Sequence, residues 1–208
     1  MKIAARTFRL LLFILIISCN QSDYDNCLED ISDSPNNHLI SSSDFDLAKS
    51  LFEFNNIDYS RYQFFEYTKD YLGSYHVKFN QYINNLKLFS GSAIIHFDKD
   101  KKFKSDSYNL IEQIDLDTKR SMNIDNVVQI FFNKVFENTQ TNISNLCFDV
   151  EFGYFDLNSG ISNATNNFIK AWKVTLKNSK FPLALINDTT SEIVYFDNGY
   201  ITKSVSEN

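Results

Sequence analysis

The sequence predicts an α+β fold built as two small modules in series, each an antiparallel sheet packed with one helix. Apolar residues recur at helical spacing twice, over 44–57 and 124–136, and each time the period then changes to two. The strands that follow are short and divided by polar turns, as in antiparallel meanders. Twenty Phe and eleven Tyr supply core material, while five Gly and two Pro leave little room for long disordered stretches in the body.

In the first module, Ser43 or Asp44 is placed to cap a helix whose apolar positions are Leu47, Ala48, Leu51, Phe52 and Phe54. From Tyr62 the alternation begins. Tyr75, Val77, Phe79, Gln81 and Ile83 fall on one face of a strand, and His76, Lys78, Asn80 and Tyr82 on the other. Ala93, Ile95 and Phe97 continue the pattern, Asp98–Lys101 reads as a turn, and 103–110 as a return strand. Tyr71, Tyr82 and Tyr108 are candidate surface tyrosines, a residue type suited to binding.

The second module opens with a helical stripe, Ile124, Val127, Val128, Phe131, Val135 and Phe136, capped by Asn123 or Ser121. Leu146, Phe148, Val150, Phe152 and Tyr154 then alternate with Cys147, Asp149, Glu151 and Gly153, a half-buried strand. A polar loop spans 156–167. Trp172, Val174 and Leu176 share the next strand face, so Trp172 is expected in the core. A hairpin follows, with Asp188–Ser191 as its turn.

The N-terminus has a different logic. Lys2, Arg6 and Arg9 precede an unbroken apolar run, Leu10–Ile17, too short to span a bilayer as a helix. A basic region, an apolar region and a small residue in that order form a secretory signal. Ile16-Ile17-Ser18-Cys19 resembles the lipobox of bacterial lipoproteins, which implies cleavage before Cys19 and acylation of its thiol. Several acyl chains on one residue would give durable membrane attachment. Residues 1–18 are thus read as a signal peptide, 19–43 as a lipid-anchored flexible tether, 44–115 and 120–200 as the two modules, and 201–208 as a C-terminal tail. The acidic patch Ser22-Asp23-Tyr24-Asp25 resembles surface-export signals of some Gram-negative lipoproteins, or is simply a solvated linker. The expected location is the outer membrane or cell surface. Removing 1–18 takes the net charge from −6 to −9, which argues against nucleic acid as a partner. Cys27 and Cys147 remain as a candidate disulfide in an exported protein; spacing alone leaves their pairing open.

A search for chemistry returns little. His38, His76 and His96 include no i, i+4 pair and HExxH is absent, so no metal site is expected. His76 and His96 lie on separate strands that could approach one another. There is no Gly-x-Ser-x-Gly elbow and no Gly-rich phosphate loop, hence no expected cofactor, and no nucleophile stands with a base. The chain reads as a non-enzyme.

Residues 70–98 resemble the fungalysin/thermolysin propeptide (FTP) domain. The carriers are Asp70, Leu72-Gly73, His76-Val77, Phe79, Gln81-Tyr82, Asn84, Phe89, Gly91, Ile94, His96 and Asp98, with the spacing of His76, Gln81, Gly91 and His96 the specific part. The second module resembles, more loosely, a PepSY domain, through the helix 124–136, Ala171-Trp172-Lys173-Val174 and the turn Asp188–Ile193, in which Ser191 stands where a glycine is usual. In thermolysin-like zymogens these domains follow one another in the propeptide, assisting folding of the protease and blocking its cleft. The resemblance implies structural rather than catalytic roles for His76, Gln81, Gly91, His96 and Trp172. It also implies a propeptide-like lipoprotein, free of the protease domain, that binds an exported thermolysin-like metalloprotease as inhibitor or folding chaperone. The alternatives are a surface binding module for peptide or glycan and a structural envelope component.

Overall fold

A computed structural model describes residues 27–31, 33–106 and 110–199. The expected signal peptide, Cys19, the acidic patch, Tyr108 and the tail 201–208 lie outside the described residues. No described helix is long and apolar enough to cross a membrane.

The architecture is mixed α/β, one large sheet with two helices among the described residues. Strand β1 (Leu28–Asp30) is followed by helix α1 (Ser42–Phe54) and by strands β2 (Tyr62–Lys69), β3 (Tyr75–Ile83), β4 (Leu86–Phe97) and β5 (Phe103–Asp106). Helix α2 (Ile124–Thr139) leads into β6 (Phe148–Asp156), β7 (Phe168–Leu176), β8 (Leu183–Asn187) and β9 (Ile193–Asp197). The hydrogen-bonded order is β2-β3-β4-β6-β7-β8-β9, with β1 beside β6 and β5 beside β4.

Local chemistry accounts for the elements. Ser41, two residues before the earlier of the expected caps, caps α1: its Oγ accepts the Asp44 N–H at 3.1 Å. Asn123 caps α2 by accepting the Asn126 N–H at 2.8 Å. Between β3 and β4 the turn residues Asn84 and Asn85 sit at φ 52° and 62°. Two successive left-handed residues make the tight hairpin turn whose twist suits the flanking strands, and asparagine tolerates that conformation.

Each helix covers its own part of one sheet face. Ala48, Leu51 and Phe52 of α1 pack with Phe64, Val77, Phe79, Ile95 and Phe97. Val127, Val128, Phe131 and Val135 of α2 pack with Val150, Phe152, Trp172, Val174 and Ile186. A third cluster, Ile83, Leu88, Ile114 and Tyr154, lies under the connecting segment, whose Ile111 and Leu116 pack against it.

Several expectations are corrected here. Two separate sheets were expected, and the strands instead form one, because β4 and β6 pair in parallel at Lys87↔Gly153 and Leu88↔Tyr154. Parallel pairing between strands this far apart in sequence leaves no local pattern to read. The described part of the expected tether is ordered: β1 pairs in parallel with β6, and 33–41 packs beside β2, where the Leu39 N–H donates to the Phe64 carbonyl at 2.8 Å. Tyr82 is buried, at 2% exposure, because a register shift between Asn80 and Tyr82 breaks the alternation. Tyr71 is exposed.

Candidate functional site

The family-motif residues gather on the β3–β4 hairpin. His76 and His96 are direct cross-strand partners. Their faces follow from Val77 and Ile95, which point into the α1 core and turn both imidazoles to the face opposite α1. The two Nδ1 atoms lie 2.6 Å apart. On its other side, His76 Nε2 lies 3.2 Å from Asp70 Oδ2. Asp70 organises the β2–β3 turn, its Oδ1 accepting the N–H groups of Leu72 and Ser74 at 2.9 and 2.8 Å. Burial raises the Asp70 carboxyl, but the bonds from Ser74, His76 and Leu72 outweigh it and hold the group below its ordinary range. Gly73 in this turn has φ 88°, a conformation that glycine adopts without strain.

Gln81 does different work. Buried on the strand, it clamps the connecting segment by both ends of its amide: Nε2–H donates to the Ile111 carbonyl, and Oε1 accepts the Ile111 N–H at 3.2 Å. Gly91 lies opposite Leu88, where an added Cβ would sit 3.1 Å from the leucine side chain. The motif positions thus include one histidine pair and two packing or clamping residues.

In the second half, Trp172 is fully buried and its Nε1–H donates to Asp188 Oδ1 at 2.8 Å. Asp188 is also fully buried and accepts the N–H groups of Ser121 and Met122 at 2.8 and 3.1 Å, with Lys170 Nζ at 3.7 Å. This carboxylate ties the α2 entry to the β8–β9 turn. Arg120 covers Trp172, its guanidinium 4.8 Å from the ring centroid. Sequence reading missed Asp188 because a turn aspartate looks solvated; the one available signal was an aspartate beside a strand carrying the only tryptophan.

Cys27 and Cys147 come together as a disulfide with Cα atoms 4.4 Å apart. It stands where β1 meets the start of β6; the Phe148 N–H donates to the Cys27 carbonyl at 2.8 Å. Nearby, Glu151 lies between Lys87 (3.4 Å) and Lys173 (3.7 Å), and Lys87 also approaches Asp33 at 3.8 Å. Burial raises Asp33, but bonds from Gln63, Ser34 and Asn37 and the charge of Lys87 leave it below its ordinary range. The Tyr82 hydroxyl faces Asp33 without the geometry of a hydrogen bond, and burial, then the charges of Asp33 and Glu151, push its pKa upward.

The sheet face opposite α1 and α2 carries a groove of about 610 Å³ whose lining includes Asn80, Lys87, Phe89, Phe155, Lys173 and Tyr195. Its walls combine aromatic and leucine side chains with one amide, three serines and two lysines, the mostly apolar lining with a few polar groups that is common in binding sites. No group of three or more metal-ligating side chains converges among the described residues.

Comparison with known proteins bears on this geometry. Residues 67–107 match the family model described as the Fungalysin/Thermolysin Propeptide Motif. The match takes in the Asp70 turn, the histidine pair, Gln81 and Gly91, and so places a propeptide-type motif on the β2–β5 part of the sheet. A solved structure titled "Bacillus megaterium YpeB C-terminal domain" aligns with 82% of this chain and 69% of that one, at 13% identity and a TM-score of 0.37. No curated protein matches the sequence.

Proposed function

We propose that this protein is a propeptide-like lipoprotein, anchored through lipid on Cys19, that binds an exported thermolysin-like metalloprotease and restrains it or assists its folding. The observation that carries the reading is the propeptide motif over 67–107. Its surroundings agree with a binding role. The sheet face opposite α1 and α2 offers a long preformed surface, and the groove of about 610 Å³ on it is bordered by aromatic side chains that can anchor a partner. We also read the second half as a PepSY-like module, so that the sheet is two sheet-and-helix modules fused edge to edge. The separate hydrophobic clusters under α1 and α2 support that division.

A contact between separate molecules lacks the high effective concentration of a covalently linked propeptide. Anchoring both partners near one membrane would compensate. The groove also favours a second reading, a surface module for peptide or glycan. One titration separates the two. The protein is added to candidate exported metalloproteases of the same cell, with binding and hydrolysis of a peptide substrate both recorded. Micromolar or tighter binding with altered activity is expected; absence of such binding to every one discards the protease reading and turns the search to peptide and glycan panels. A fatty-acid analogue should label the wild type and not Cys19→Ser; equal labelling of both discards the anchor.

A further inference from the structure

The histidine pair carries a consequence independent of what the protein binds. A contact of 2.6 Å between two Nδ1 atoms needs one hydrogen, and only one, between them. With both rings neutral, His96 donates its Nδ1–H to His76, and His76 donates its Nε2–H to Asp70. Every contact in the cluster is then satisfied. Adding one proton keeps them: an imidazolium at His76 donates from Nδ1 to His96 and from Nε2 to the Asp70 carboxylate. A second added proton leaves two Nδ1–H groups pointing at each other and two cations whose ring centroids are 4.9 Å apart. The rings must then separate.

The surroundings decide how much such a separation matters. The pair belongs to one row across four strands, Thr68, His76, His96 and Ser105. The charged groups about it are Asp70 from the β2–β3 turn, Lys78 beside it on β3 with its partner Glu66 of β2 at 2.8 Å, and Lys104 of β5. Lys78 is neutralised by Glu66. Asp70 compensates a single imidazolium, and Lys104 opposes a second. Burial first, then the charges of His76 and Lys104, lower the His96 pKa below the ordinary imidazole value. A histidine whose folded-state pKa is lowered contributes stability that is complete above the unfolded value of 6.5 and is lost as pH falls below it. Asp70, held below its ordinary range, keeps its charge through that window.

We propose that His76 and His96 form a proton-operated latch: it holds the Asp70–Ser74 turn and the β3–β4–β5 corner in place while the pair carries at most one extra proton, and it releases them when acidification protonates both rings. The device goes beyond the protease reading and does not depend on it. It would let the propeptide-type half of the sheet respond to acidification of the compartment it faces.

The test is a histidine ¹⁵N NMR titration of the full chain, with amide exchange followed at Leu72 and Ser74, whose N–H groups bond to Asp70. The expected result is two linked steps for His76 and His96 separated by more than about one pH unit, with loss of protection at Leu72 and Ser74 on the second step. In His96→Gln, His76 should titrate in a single step and the turn should keep its protection throughout. His38, which accepts the Phe64 N–H at 3.1 Å well away from the pair, is the internal control and should titrate alike in both proteins. Superimposable, independent curves for His76 and His96, or an acid-induced loss at Leu72 and Ser74 that persists unchanged in His96→Gln, would overturn the latch.

Discussion

Asp188 shows how much a single side chain can carry when it is buried and fully used. Its two oxygens take the indole N–H of Trp172 and two backbone N–H groups at the entry to α2, with the Lys170 ammonium at 3.7 Å. Replacing it with alanine leaves the buried Trp172 indole N–H and two part-buried backbone N–H groups without this acceptor, and Lys170 without one of its two carboxylates, the other being Asp117 at 2.9 Å. Breaking a buried charged network of this kind costs about 3–5 kcal/mol. Urea denaturation followed by the fluorescence of Trp172 should show Asp188→Ala destabilised by that amount; a loss under about 1 kcal/mol would mean that the network is incidental to stability. At this scale the sequence was informative for residues in periodic runs. Trp172 shares a face with Val174, and both are fully buried. It was uninformative for Asp188 and Tyr82, whose burial depends on a turn folding inward and on a register shift that breaks strict alternation.

Among the elements, those with local signals were readable and those defined by distant pairing were not. Helix α1 was expected over 44–57 and spans Ser42–Phe54; α2 was expected to end at 136 and runs to Thr139, with Gln140 in the left-handed conformation at its C-terminus. Strand β1 carries no alternation in its three residues. It exists because partners elsewhere hold it: Arg120 bonds Asp30 at 2.7 Å, and Lys177 bonds Glu29 at 2.6 Å. The β4–β6 seam is likewise invisible in sequence except at Gly153. There an added Cβ would collide with the Lys87 carbonyl oxygen and the Phe89 ring, so the close approach of the two strands requires glycine. Gly153→Ala should therefore part the strands locally and cost at least about 1–3 kcal/mol, the usual range for overpacking. Faster amide exchange confined to residues flanking Lys87 and Gly153 would identify the seam as the place of damage. Unchanged stability and exchange would show that the strands can separate without penalty.

At the scale of the whole molecule, the question is whether two halves with separate hydrophobic clusters unfold as one body. Three features couple them: the parallel β4–β6 pairing, the shared cluster of Ile83, Leu88, Ile114 and Tyr154, and the N-terminal segment. That segment crosses from β6 to the first half, where Asp33 accepts the Gln63 side-chain N–H at 2.6 Å, and the Cys27–Cys147 disulfide fixes its start. Cross-linking residues 120 apart in sequence restricts the unfolded chain, and removing a bond of this class typically costs about 2–4 kcal/mol. Trp172, the single tryptophan, reports on the second half alone, so amide exchange or mass-spectrometric labelling of β2–β4 must report on the first. In the disulfide-bonded protein the two probes should share one urea midpoint, because each of the three couplings must break before either half is free. In Cys27→Ser/Cys147→Ser both midpoints should fall together, since the seam and the shared cluster persist. Adding Gly153→Ala to that variant removes a second coupling, and the midpoints should then separate. Two distinct transitions already present in the disulfide-bonded wild type would refute the coupling and show that the halves fold independently, the shared sheet being a contact between two bodies rather than the frame of one.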